Sequence, residues 1–324
     1  MEIGSFLEIQ FLKGKEFYKG SVGIARLNSG RAAIYHAIYT LGCKTVWLPY
    51  YQCDTVRDFL NRKGIAIKYY HIDSAFNPVD AAPQDYEAIV FVNYYGVFSA
   101  KAMKERAAGY KNVIFDNSQA FFAEPCENAV SVYSARKFVG VPDGAYVIGK
   151  NAEKHVEKYP QGYSSDTSLF LLQRVEYGCE GKSYISRKKN EDRIDTEDIS
   201  KMSKLTHAIL DGTDYDFIAK KRKDNFGYVA RELNAYNKLD ATRFYDEGCV
   251  PMVYPLVLEN DRLLDKLLQA KHFQGHWWSY LLEFMPKDSF EYWLSRFIIP
   301  ITVDQRYEKR ELAEVIDVIR HECD

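Results

Sequence analysis

The chain of 324 residues carries 43 basic and 45 acidic side chains and a net charge of −2, a balance that excludes a bulk electrostatic pull toward nucleic acid or an anionic membrane. Apolar residues make up 47% of it, enough to bury a core, and the length suits one large and one smaller domain at roughly 100–200 residues each. No stretch approaches the roughly 20 apolar residues of a membrane span, and Glu2 and Glu8 interrupt Met1–Phe11, so that it does not read as a secretory signal.

Residues 1–20 lead into the first domain. Leu27-Asn28-Ser29-Gly30-Arg31 then opens an amphipathic helix, with Ile34, Ala37, Ile38 and Leu41 on one face and Gly42 as its stop. A helix start after Ser-Gly is either an anion site, because its free N–H groups and dipole favour negative charge, or an ordinary cap by Asn28 or Ser29. Thr45–Leu48 predicts a buried strand ending at Pro49, Gln52–Arg62 a helix, and Ile65–Ile72 a strand. Ala88–Val92 is a strand running into Asn93-Tyr94-Tyr95-Gly96, and Lys101–Ala108 is helix. Strands follow at Val113–Phe115, Val130–Tyr133 and Ala145–Ile148. Strands alternating with helices predict an α/β domain with a mostly parallel sheet, whose ligands sit at the carboxyl ends of the strands. Pro49, Asn93, Asp116 and Ser134 all follow strands and so are candidates for one shared rim.

Residues 151–205 are polar and charged, and the Arg187–Asn190 run reads as a solvated face. From about Thr206 the pattern changes: helix at Tyr215–Leu233, strand at Pro251–Leu258, helix at Asp261–Ala270, strand at Phe297–Ile301 and helix at Lys309–His321. This predicts a large domain over 1–205 and a smaller α+β domain over 206–324. The six cysteines are far apart with no paired metal spacing, which points to reduced thiols and a cytoplasmic protein. His272 and His276 are four apart, but Gly275 and Trp277-Trp278 make their stretch a strand or loop rather than a helical metal pair. Trp277 and Trp278 themselves are read as core packing, with the substrate entrance as the alternative.

Within Val113–Gly149 an acid, Asp116, ends an apolar strand, Gln119 follows three residues on, and Lys137 stands in a Ser134-Ala135-Arg136-Lys137 run before Asp143-Gly144-Ala145. With Ser29-Gly30-Arg31-Ala32-Ala33 and Val92-Asn93-Tyr94-Tyr95-Gly96, these pieces resemble, in order and spacing, the DegT/DnrJ-type sugar aminotransferases, which are fold-type-I pyridoxal-phosphate enzymes. Val250–Pro255 and Ile299-Pro300-Ile301 resemble strands of that family's small domain.

The resemblance implies a role for each matched residue. Lys137 would hold the cofactor aldehyde covalently and shuttle protons, work that needs a neutral amine, favoured by burial or by a cation such as Arg136. Asp116 would pair with the protonated pyridine nitrogen. Gln119 would hydrogen-bond the ring oxygen or lie against the ring. Ser29, Gly30, Arg31 and Ser134 would bind the phosphate. Three positions depart from the pattern. Arg31 stands for the usual Thr, Asn93 for a frequent His, and Cys53 for the aromatic that stacks on the cofactor ring, leaving Tyr51 as the stacking candidate. Asn93 and Tyr95 are weaker candidates for substrate contact.

The activity implied is transfer of an amino group from an amino acid such as glutamate to a keto group on a nucleotide-linked sugar, by a homodimer; Ser183–Asn190 is read as a loop that could reach the neighbouring site. Sugar dehydratases of the same family have His at the lysine position, so Lys137 argues against that chemistry; a non-catalytic relative with a regulatory role is the other alternative.

Overall fold

The computed structural model describes residues 3–323. Eight strands form one sheet in the order β1-β8-β7-β6-β5-β2-β3-β4. They are β1 (Ile24–Leu27), β2 (Thr45–Pro49), β3 (Ala66–Ile72), β4 (Pro78–Val79), β5 (Ala88–Val92), β6 (Val113–Asn117), β7 (Val130–Ser134) and β8 (Ala145–Ile148). The run β3-β2-β5-β6-β7 is parallel throughout, whereas β8 and β1 are antiparallel additions at one edge and β4 at the other. β5, β6, β7 and β8 are buried at every position, as expected of strands covered on both faces. The expected mostly parallel α/β sheet is present.

Helix α1 (Gly30–Thr40) lies across β7 and β8, its start fixed by Ser29 Oγ, which accepts from Ala32 N–H at 3.3 Å. Its buried face is Ala32, Ala33, Ile34, Ala37 and Ile38. Helices α2 (Asp54–Arg62) and α3 (Ala100–Arg106) occupy the expected crossovers.

The polar stretch after residue 150 contains two helices. α4 (Leu169–Tyr177) and α5 (Lys182–Thr196) form a hairpin, so the loop expected at Ser183–Asn190 is part of a helix. Asn190, expected on a solvated face, is fully buried, and its Nδ2 donates to Pro142 O at 2.9 Å.

α6 (Lys204–Asp211) contains the changeover expected at residues 205/206, and it is fastened to the first unit: Ser203 Oγ donates to Asp143 Oδ1 at 3.0 Å, and so does Thr206 Oγ1. α7 (Tyr215–Leu233) then leads into a two-stranded antiparallel sheet, β9 (Val253–Val257) with β10 (Ile298–Thr302). α8 (Leu263–Gln269), α9 (Phe290–Phe297) and α10 (Lys309–His321) complete this part. α10 begins with a Glu308/Glu311 capping box and buries Leu312, Val315, Ile316 and Ile319, each worth about 1.5–3 kcal/mol relative to exposure. One apolar core runs from the large sheet into α7–α10, so the two sheets share an interior.

Candidate active site

The strand register puts the sequence candidates on one edge. In the parallel run Val92 pairs with Asp116, and Asn117 with Tyr133. β8 is antiparallel, so its first residue, Ala145, pairs with the last residue of β7, Ser134, and with the last residue of β1, Leu27. Asn28-Ser29, Asp116, Ser134 and Gly144 therefore share one rim.

Gly144 closes the β7–β8 hairpin. Its N–H donates to Asn28 O at 2.9 Å and its carbonyl accepts from Ala135 N–H at 3.1 Å. Its φ of +111° is one that side chains resist, and a Cβ there would stand 2.8 Å from Thr206 Cγ2.

Beside it, a Cβ added to Gly30 would lie 3.2 Å from Ser118 Oγ and 3.9 Å from Ser134 Cβ. The first turn of α1, whose leading N–H groups have no partner within the helix, thus faces a cradle of small polar side chains. Ser29 and Ser134 are both buried there. The Arg31 side chain turns away from the cradle and pairs with Asp195 of α5 at 2.5 Å, leaving its backbone N–H as the group available at the helix start.

Asp116 is buried. Its Oδ1 accepts from Ser118 N–H at 3.0 Å and its Oδ2 from Gln52 Nε2 at 3.2 Å. Gln119 is also buried, with its Oε1 accepting from Tyr95 N–H at 2.7 Å. That bond holds Tyr95 in a left-handed conformation, φ 62°.

Lys137 ends the 3-10 turn Ala135–Lys137 and is exposed rather than buried; its ammonium has no hydrogen-bond or ion-pair partner among the described residues. Neighbouring Arg136 is matched by Glu191 of α5. Burial works to raise the Glu191 carboxyl, but Arg136, with Arg187 and Lys137 beyond it, holds it below its ordinary range. Neither burial nor an unmatched Arg136 is therefore in place around the lysine.

Three further sequence candidates lie in closely packed surroundings. Tyr51 has no exposed surface: its ring packs edge-on to Trp278, 4.4 Å between centroids, and its hydroxyl meets that of Tyr95 at 3.3 Å. The Tyr51 ring is thus closed in on the side of Trp278. Asn93 is equally closed in, its Nδ2 donating to Phe98 O and Asn117 Oδ1. Tyr95 is covered by Trp277, stacked at 5.7 Å. Trp277 and Trp278 thus pack the aromatic layer behind the rim.

Sequence reasoning missed Gln52, which braces Asp116, and Arg222 of α7. Arg222 is buried and donates to Met252 O at 2.9 Å, Pro251 O at 3.3 Å, Gln305 Oε1 at 3.1 Å and Lys137 O at 3.4 Å, with its guanidinium 4.4 Å from the centre of the Phe138 ring. Burial pulls its pKa down to about 10, against the opposing pull of Asp304. Gln305 Nε2 in turn donates to Phe138 O at 2.8 Å. The loop carrying Lys137 is thereby clamped from the second part of the chain. Within the run Lys220-Lys221-Arg222-Lys223 nothing marks Arg222 apart from solvated neighbours; only its place on the buried stripe with Ile218 and Phe226 could have done so.

No family model matches the sequence, and no curated protein does. Solved structures are similar in fold. A sugar aminotransferase from Micromonospora echinospora superposes with a TM-score of 0.60 at 16% identity, over 93% of this chain and 88% of that one. A DegT/DnrJ/EryC1/StrS aminotransferase from Brucella abortus gives 0.61 at 14%, over 94% and 87%. NtdA from Bacillus subtilis, solved with bound cofactor PMP, gives 0.64 at 14%, over 93% and 73%.

Proposed function

We propose that this chain is a pyridoxal-phosphate-dependent aminotransferase that moves an amino group from an amino acid, glutamate first among them, to a keto group on a nucleotide-linked sugar. The observation that carries the reading is the register. It gathers a buried carboxylate, a helix start facing a cradle of small polar side chains and a lysine loop on one rim, in a fold that solved aminotransferases share along nearly the whole chain.

The residues present suit the cofactor. The Gly30–Ser118–Ser134 cradle, which a Cβ at Gly30 would crowd, suits a phosphate. Ser29, Gly30, Arg31 through its N–H, and Ser134 would hold it, and Asp116 would face the ring nitrogen. When bound, the cofactor supplies an electron sink for the bond to hydrogen broken at the substrate carbon. The protein's share is positioning and proton movement. Ser118 N–H and Gln52 Nε2 fix the Asp116 carboxylate so that its charge is presented in one orientation. Gln119, held by Tyr95 N–H, offers its amide at the same rim. Lys137, whose amine makes no hydrogen bond or ion pair among the described residues, would carry a proton to and from the substrate carbon.

Cys43, Cys53, Cys126, Cys179 and Cys249 are free thiols, which supports a cytoplasmic setting. The dimer is supported by the α4–α5 hairpin. α4 buries none of its residues, and Leu172, Val175, Tyr184 and Ile185 leave an apolar face open, as interaction surfaces do.

Purified protein mixed with pyridoxal phosphate is expected to develop the visible absorbance of a lysine-linked cofactor and to lose it on adding glutamate. Borohydride should fix the cofactor to wild type and not to Lys137→Ala. Covalent fixing that persists in Lys137→Ala refutes the lysine's role, and absence of any cofactor uptake by wild type refutes the reading as a whole.

A further inference from the structure

A cavity of about 230 Å³ adjoins the rim, between the start of α2 and the 3-10 turn Ser279–Glu283. Tyr50, Tyr280 and Phe284 supply rings, Arg57 a cation, and Cys53 a small side chain where the resemblance would place an aromatic; Gln52 completes the wall facing Asp116. The rings are held in place. Tyr50 stacks on Tyr69 at 4.9 Å and 14°, and Tyr280 OH donates to Gln52 O at 2.7 Å. Arg57 lies 5.3 Å from the Tyr280 ring centre and pairs through Nε with the exposed Asp58. An exposed pair of this kind is worth little, and it leaves the outer guanidinium nitrogens free to meet an anion.

Gln52 is the second observation. It is 4% exposed and spends its Nε2 on Asp116, while its Oε1, also buried, has no partner. A buried amide oxygen without a donor is unfavourable, and a hydroxyl in the cavity would supply that donor. The volume is below the roughly 300–1,000 Å³ typical of sites for drug-sized ligands, so the cavity suits a single ring rather than a whole nucleotide.

We propose that this cavity is the acceptor subsite and takes a hydroxylated six-membered ring bearing an anionic group. The ring lies among Tyr50, Tyr280 and Phe284, a hydroxyl donates to Gln52 Oε1, and the anion meets Arg57. Gln52 then joins the bound ring to Asp116. The word acceptor rests on the aminotransferase reading; the binding does not.

Calorimetry on the full chain, with and without pyridoxal phosphate, tests the proposal with glucuronate and 3,5-dihydroxybenzoate as probes, and with glucose and cyclohexanecarboxylate as controls lacking the anion or the hydroxyls. Whichever probe binds tells a sugar ring from an aromatic one. Binding is expected to weaken at least tenfold for the controls and for Arg57→Gln, and to weaken in Phe284→Asp. Both positions are open enough for the variants to fold, which an unchanged melting temperature verifies. No binding of either probe, binding indifferent to both substitutions, or binding abolished by cofactor loading overturns the proposal. If the protein takes up no cofactor, the aminotransferase reading falls and the calorimetry still decides the cavity.

Discussion

Replacing Arg222 with Met removes the clamp on the Lys137 loop while keeping much of the side chain's bulk. The guanidinium serves Met252 O at 2.9 Å, Gln305 Oε1 at 3.1 Å and Pro251 O at 3.3 Å. An acceptor left without a donor costs about 1–3 kcal/mol when buried; Pro251 O is buried and Met252 O and Gln305 Oε1 are partly so, and the three together cost about 6 kcal/mol. Relief of the burial cost opposes this. The pull on the guanidinium from 12.5 to about 10 corresponds to on the order of 3 kcal/mol. The balance is a loss of about 3 kcal/mol, in line with breaking other buried charged contacts. Urea unfolding followed by tryptophan fluorescence measures it, and hydrogen exchange over residues 135–144 reads the loop directly. Arg222→Met should lower the unfolding midpoint and speed exchange in that loop. A variant within 1 kcal/mol of wild type whose loop exchanges unchanged would refute the clamp.

Gly144→Ala should destabilise by about 2 kcal/mol or more in a thermal melt, because the φ of +111° and the 2.8 Å approach to Thr206 Cγ2 both resist a Cβ; Thr206→Ser in the same chain should recover only the steric part. Asp143 is held above its ordinary value of 3.8 by burial, which outweighs the hydrogen bonds from Thr206 and Ser203. As pH rises from about 4, the unfolded carboxyl ionises before the buried one, so this group makes stability fall through that window. Asp143→Asn should flatten the fall and equal or exceed wild type at pH 7, as urea titrations at several pH values would reveal; a steeper fall contradicts the assignment. Val175→Asp, on the open face of α4, should shift the protein toward monomer in light scattering coupled to size exclusion while leaving its circular dichroism unchanged. An unaltered mass would remove that face from the interface.

The elements with a clear period were legible in the sequence. Ala88–Val92, Ala145–Ile148, Tyr215–Leu233 and Lys309–His321 stand where the pattern puts them. α4 and α5 were not legible, because neither carries a core-facing stripe: α4 is apolar yet buries nothing, and α5 is polar and buries only Ser183, Asn190 and Ile194. The rim was legible as strand ends followed by polar residues, since in a parallel sheet those ends must coincide. The environment of each side chain was not. Pro49-Tyr50-Tyr51-Gln52 offers two rings and an amide, and it is the amide that reaches Asp116 while Tyr51 turns into the core. Such choices depend on what packs from far along the chain, as Trp278 does on Tyr51.

The clamp also imposes an order on biosynthesis. The β7–β8 hairpin is local and can close as soon as it leaves the ribosome, but Arg222 lies 85 residues beyond Lys137. At about 5–20 residues per second, roughly 4–17 s pass between the appearance of the lysine and of the residue that anchors its carbonyl. A nascent chain bearing the entire rim therefore still lacks its fastening. Final tightening of the rim waits on a helix encoded well downstream of every residue on it.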